Sequence, residues 1–168
     1  FAFAQPYFAK DKNLLTRGPK AVSIYIDNSF SMGIETNSLS LLDFAKGKAR
    51  DIIQTLGSND QVQILTNDFA YNENRFISRD EALRQLGNIT VSPRTRSAQV
   101  ILEKQKQLLM TEPGASKQLI YLSDFQKNSF PFNLEVSDSI RKFFIPVKAK
   151  TMNNLSIDTA YFETPSIL

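Results

Sequence analysis

The sequence predicts a three-layer, doubly wound α/β domain with a mostly parallel sheet. Three observations carry that expectation. Apolar runs of strand length recur at Lys20–Asp27, Asp60–Thr66, Gln118–Asp124 and Lys142–Val147. Between the first three lie stretches whose apolar residues recur at helical spacing, each with one apolar stripe. The strand-like runs end in oxygen-bearing side chains, Asp27, then Asn67 and Asp68, then Asp124. In an open α/β sheet the carboxyl ends of the strands form the lip where ligands bind.

At 168 residues, 42% of them hydrophobic, the chain suits one domain with a sizeable core. Twenty basic and 17 acidic residues give a net charge of +3, too small and dispersed an excess to point to nucleic acid. Cysteine and histidine are both absent. Thiolate nucleophiles, cysteine–zinc sites, Ser-His-Asp catalysis and histidine metal sites are therefore excluded. Oxygen-ligand metal binding, carboxylate chemistry and surface recognition remain.

The first eight residues, Phe1 to Phe8, are apolar and are followed by Lys10, Asp11 and Lys12. A bilayer span needs about 20 apolar residues, so this run is too short to cross one by itself. It reads either as a surface-packed tail or as the last turn of a transmembrane helix. Asn13 to Pro19 is an approach loop. The strand from Lys20 is β-branched and free of turn residues, as a strand buried on both faces should be.

Asp27, Ser29 and Ser31 follow at intervals of two. In extended backbone such residues point the same way, so their oxygens would converge. One carboxylate with neutral hydroxyls suits a hard divalent cation. Met32 to Asn37 is expected to be loop.

Ser40-Leu-Leu-Asp43 has the form of a capping box and opens a helix carrying Leu41, Leu42, Ala45, Ala49, Ile52, Ile53 and Leu56 on one stripe, with Gly57 as its stop. The second strand ends at Asn67 and Asp68, which are read either as turn residues or as supports for the site. Arg75–Ser78 is expected to be a short strand. Ser78-Arg-Asp-Glu81 is a second capping box, opening a short helix to Gly87. A third helix has its apolar face at Ala98, Ile101, Leu102, Leu108 and Leu109, with Thr95 and Ser97 as candidate caps.

Glu112–Ser116 is a turn before the strand that ends in Asp124. Gln126–Asp138 is polar and irregular. Pro146 marks the next strand as an edge or a strand end. Asn154–Phe162 alternates as one further strand would.

The motif Asp27-x-Ser29-x-Ser31 after an apolar strand resembles the first metal-binding loop of von Willebrand factor type A domains. The likeness runs roughly from Lys20 to Lys148, most of the chain. The wording Ile-Asp-Asn-Ser-Phe-Ser-Met, with Phe1–Phe8 upstream, is similar to that of the BatA-type, aerotolerance-related membrane proteins of Bacteroidetes. The resemblance implies a metal-ion-dependent adhesion site. Its second-loop threonine would be Thr95 and its third-loop aspartate Asp124. Here the usual glycines are replaced by Arg94 and Arg96 around Thr95, and by Phe125 after Asp124.

The resemblance also implies a domain plan. Residues 1–19 would be the end of a transmembrane helix and its approach loop. Residues 20–150 would be the type A-like domain, and 151–168 a linker with the first strand of a following β domain.

The expected function is a non-enzymatic, metal-dependent protein-binding module of a bacterial inner-membrane protein, facing the periplasm. Asp27, Ser29, Ser31, Thr95 and Asp124 would hold Mg²⁺, or Mn²⁺ or Ca²⁺. The partner would be another protein that offers an acidic side chain, met at a rim of Phe30, Arg94, Arg96 and Phe125. A metal-free structural interaction domain is the alternative. A phosphotransfer enzyme ranks third, because the position two residues after Asp27 is Ser29 and there is no glycine-rich phosphate loop.

Overall fold

The structure is a computed structural model and describes residues 18–36, 39–125 and 139–148. Strand β1 (Lys20–Ile26) lies inside the sheet and is buried from Ala21 onward. Val22, Ile24 and Ile26 face one side and Ala21, Ser23 and Tyr25 the other, as alternation along a strand requires. Burying a side chain such as Ile24 completely contributes about 1.5–3 kcal/mol, so a strand covered on both faces anchors the domain.

After β1 come a 3₁₀ turn (Phe30–Gly33) and two two-residue strands, β2 (Glu35–Thr36) and β3 (Leu39–Ser40), paired antiparallel. Residues 32–36, expected as loop, therefore carry the end of a 3₁₀ turn and a short strand. Helix α1 (Leu41–Gln54) starts with the capping box foreseen: Ser40 Oγ accepts from the Asp43 N–H at 3.1 Å, and Asp43 accepts from the Ser40 N–H at 3.0 Å. The Ser40 hydroxyl also donates to Asp43 Oδ2 at 2.6 Å, and this bond first, then the one from the Ser40 N–H, holds the Asp43 carboxyl below its ordinary range.

Strand β4 (Gln61–Leu65) and helix α2 (Arg79–Gly87) follow. Between them the expected strand at 75–78 is only a single antiparallel bridge, Ile77 to Val62. Ser78 caps α2 through the Glu81 N–H. The Glu81 carboxylate pairs with Arg75 Nη2 at 2.6 Å, so only half of the expected capping box forms.

Helix α3 (Ala98–Met110) leads to β5 (Ser116–Ser123), and β6 (Ile140–Pro146) is the last described strand of the sheet. Its order is β4-β1-β5-β6, with every neighbouring pair parallel. Pro146 ends β6, which among the described residues pairs only with β5 and so lies at the edge of the described sheet, where a missing N–H is tolerated.

Two apolar layers cover the sheet. Leu42, Ala45, Ala49 and Ile53 of α1, with Ala82 and Leu86 of α2, pack on Val22, Ile24 and Ile26. Ile101, Leu102 and Leu109 of α3 pack on Tyr25, Leu65 and Leu119. These helices on opposite faces make the three-layer α/β fold expected from the sequence.

The α3 side also buries polar groups. Gln105, fully buried, donates to Ser23 O at 3.1 Å, Ser23 Oγ at 3.0 Å and Ile120 O at 3.2 Å, while Ser23 donates to Gln63 Oε1. Leu108, expected on the buried stripe, is only half-buried. The segments 1–17, 126–138 and 149–168 lie outside the described residues, so the membrane-exit reading of Phe1–Phe8 and the strand expected at 154–162 are not described. Among the described residues no helix is long and apolar enough to cross a membrane.

Candidate functional site

Parallel pairing of β1 and β5 sets their carboxyl ends side by side: Ile26 is level with Leu122, and the Asp27 N–H donates to Leu122 O at 2.9 Å. Asp27 and Asp124 therefore emerge at the same end of the sheet. Both line one cavity of about 260 Å³, together with Thr95, Arg96, Tyr25, Tyr121 and Phe125.

Asp27 is 8% exposed and firmly oriented. Its Oδ1 accepts from the Ser29 N–H and from Asn67 Nδ2, both at 3.0 Å. Its Oδ2 accepts from Ser123 Oγ at 2.7 Å. A carboxylate oxygen has two lone pairs. Oδ1 is thus filled, and Oδ2 keeps one lone pair for a further partner. Asp27, Asp124, Thr95 and Ser123 all offer oxygen on this cavity, and that is the donor chemistry hard divalent cations take. Among the described residues, two carboxylates and neutral hydroxyls line the cavity, and no group of three or more acidic side chains gathers there.

The two serines of the first loop sit differently from the expectation. The backbone does not stay extended past Ser29; it turns into the 3₁₀ segment at Phe30. Ser29 and Ser31 Oγ lie 3.2 Å apart and hydrogen-bond to each other. Phe30, on the same turn, is 67% exposed.

Ser97 caps α3, accepting from the Val100 N–H at 3.4 Å. Thr95 is released from that role and lies exposed on the cavity, so the choice left open between the two hydroxyls is resolved.

Asn67 and Asp68 were legible only as turn residues or supports, and the structure makes them supports. Asn67 Oδ1 accepts from Tyr25 OH and from the Arg96 N–H, both at 3.1 Å, and its own N–H donates to Asn28 Oδ1 at 3.0 Å. Asp68 accepts from Ser92 Oγ at 2.6 Å and Asn28 Nδ2 at 3.0 Å, and lies 3.7 Å from Arg94 Nη1. Burial pulls the Asp68 carboxyl upward, but the bonds from Ser92 and Asn28 and the Arg94 charge outweigh it and hold it below its ordinary range.

The arginines flanking Thr95 thus fold onto the 67–69 segment. Arg96 donates Nε to Asn67 O at 2.8 Å and lays its guanidinium 4.0 Å over the Phe69 ring.

Two aromatic residues here hold left-handed backbone, Phe69 at φ 50° and Phe125 at φ 53°. They are the only non-glycine residues with positive φ among those described. Phe125 takes the conformation that a glycine would otherwise supply after Asp124. Tyr25 and Tyr121 stack with ring centroids 4.5 Å apart, and Phe125 lies 5.7 Å from Tyr121. Burial first, and the Asp27 charge second, push both tyrosine phenols far above their usual value, so they stay protonated.

A second hollow of about 250 Å³ lies beyond the Thr66–Asp68 segment, lined by Asn28, Thr66, Asp68, Glu73 and Asn88 among others.

A doubly wound α/β domain, with a cavity bordered by two carboxylates at the carboxyl edge of its sheet, is the class that this fold and site define. No protein-family model matches the sequence, and no curated protein is significantly similar to it. Solved structures that share the fold include the following two. One is the conserved hypothetical protein BatB from Bacteroides thetaiotaomicron, 17% identical, with a TM-score of 0.53, covering 80% of this chain and 74% of that one. The other is an aerotolerance-related membrane protein from Bacteroides fragilis NCTC 9343 with multiple mutations to serines, 16% identical, with a TM-score of 0.56, covering 83% of this chain and 77% of that one.

Proposed function

We propose that this domain is a metal-dependent protein-binding module of the type A adhesion-site kind. The observation that supports it best is the single cavity shared by Asp27, Thr95 and Asp124, residues drawn from three separate loops. Asp27 Oδ2, Asp124 and the Thr95 hydroxyl would face the ion, Mg²⁺ or else Mn²⁺ or Ca²⁺. Ser29 and Ser31 would reach it directly or through water. When bound, the ion supplies a positive point that takes up a carboxylate oxygen from a partner protein. Phe30, Arg94, Arg96 and Phe125 would form the surrounding contact surface. The reading is of a recognition module without catalysis.

The B. fragilis protein with this fold is described as an aerotolerance-related membrane protein. That analogy of fold supports reading this domain as part of a bacterial membrane protein; an inner-membrane anchor with the domain facing the periplasm is what the sequence resemblance implies.

Titration of Mg²⁺ or Mn²⁺ into the wild type, Asp124→Asn and Asp27→Ala proteins tests the reading. Binding to the wild type with loss in both variants, and a melting temperature that rises with ion concentration, is expected. Equal behaviour of the three proteins sinks the proposal. The metal-free interaction domain draws support from one observation: Asp27 already has three donors, and Ser29 and Ser31 already satisfy each other.

A further inference from the structure

We infer that Arg96 is the anion-reading half of the cavity, so that a divalent cation and a partner carboxylate bind synergistically and each weakly alone. This rests on the metal-dependent reading and adds the residue and the energetic rule by which the site selects its ligand.

Arg96 is pinned on two sides. Its Nε donates to Asn67 O and its guanidinium lies flat over Phe69, while its backbone N–H is held by Asn67 Oδ1. The side chain is therefore oriented before any ligand arrives. Among the described residues no carboxylate lies within ion-pair distance of it, in contrast to Arg94, which pairs with Asp68. The two terminal amino groups make no hydrogen bond to a described residue. An arginine held by Nε and one ring face, with its outer fork unengaged, is suited to receive a planar carboxylate.

Charge decides the order. Asp27, Asp124 and Arg96 share the cavity, so two carboxylates and one guanidinium leave it one net negative charge. In that state an anionic ligand is repelled, and Arg96 in turn weakens the hold on a cation. A divalent ion turns the balance to one net positive charge, and the carboxylate then meets both the ion and the guanidinium. Linkage requires the converse: a bound carboxylate tightens the ion by the same factor. Tyr25, Tyr121 and Phe125 give the cavity an aromatic part that can pack the body of the ligand.

The probes are Mg²⁺ by calorimetry, and benzoate by amide chemical-shift titration, with benzamide as the uncharged isostere. In the wild type, saturating Mg²⁺ should tighten benzoate about tenfold or more and leave benzamide unchanged. Arg96→Gln should bind Mg²⁺ alone about threefold more tightly, yet bind benzoate in saturating Mg²⁺ about tenfold more weakly. Arg96→Lys keeps the charge without the fork, so its Mg²⁺ affinity should match the wild type while benzoate weakens several-fold, about threefold or more.

These opposed signs separate ligand reading from a merely structural role, which would lower both affinities together. Thermal melting of each variant confirms folding. Mg²⁺ binding with benzoate affinity equal in the wild type and Arg96→Gln overturns this inference alone. Absence of Mg²⁺ binding to the wild type overturns both this inference and the metal-dependent reading.

Discussion

Asn67 Nδ2 donates to Asp27 Oδ1 across 3.0 Å, tying the ends of β4 and β1 together beneath the cavity. The same amide accepts from Tyr25 and from the Arg96 backbone, so one side chain joins three segments. Asn67→Ala leaves several buried polar groups short of a partner and should cost about 3 kcal/mol in urea unfolding. Asn67→Asp sets a second carboxylate against Asp27. Like charges this close force one to take up a proton. Its destabilisation should therefore be smaller at pH 4 than at pH 7, and a loss independent of pH would contradict the assigned contact.

Phe125 carries a backbone φ of 53°, which side chains with a Cβ adopt at a cost. Truncation separates that cost from the packing of the ring on Tyr121. Phe125→Ala and Phe125→Gly both lose the ring, but only glycine relaxes the backbone. Phe125→Gly should be the more stable of the two by about 1 kcal/mol, the reverse of the usual order of alanine and glycine. Melting curves of the pair provide the check, and an alanine variant as stable as the glycine variant would refute it.

Glu73 is 6% exposed, with its carboxylate bonded to Thr66 Oγ1 at 2.7 Å and to the Thr66 N–H at 3.0 Å. Burial pushes its carboxyl above the ordinary 4.5; the Thr66 bonds only partly offset this, and the Asp68 charge adds a small push. The native state therefore holds this proton more tightly than the unfolded chain does. Its contribution to stability is full below about pH 4.5 and is lost as pH rises through the higher native value. Relative to Glu73→Gln, the wild type should lose stability across that window and then level off. A difference that stays constant with pH excludes the burial effect.

Ser97 and Thr95 have the same functional group two residues apart, and the structure gives them different work. Ser97→Ala removes the cap of α3 and should cost about 0.5–1 kcal/mol, with Mg²⁺ affinity little changed. Thr95 is exposed, so Thr95→Ala should stay within about 0.5 kcal/mol of the wild type while weakening Mg²⁺. Chemical denaturation and ion titration on the same two proteins would show whether the effects cross over in this way.

What the sequence made legible follows from range. The buried run at Lys20–Ile26, the reciprocal cap between Ser40 and Asp43 and the carboxylates at two strand ends are local signals, and each appears where its residues placed it. The placement of Asp27 and Asp124 on one cavity follows once the strands run parallel and adjacent.

The missed features are the nonlocal ones. Asn67 reads equally as a turn former or a support, because the partners that decide it, Asp27 and Arg96, lie far away in the chain. Gln105 reads as one more polar helix residue until its contacts to β1 and β5 appear. The convergence expected of Asp27, Ser29 and Ser31 assumed extended backbone; the Ser29 and Ser31 hydroxyls do come together, but across the 3₁₀ turn that begins at Phe30.

Thr66, Asn67 and Asp68 form a partition one chain thick. Asn67 borders the carboxylate cavity, and its two neighbours border the second hollow. The two hollows therefore have a stretch of main chain in common, and the Ser92–Asp68 bond ties that stretch to the loop that leads to Thr95.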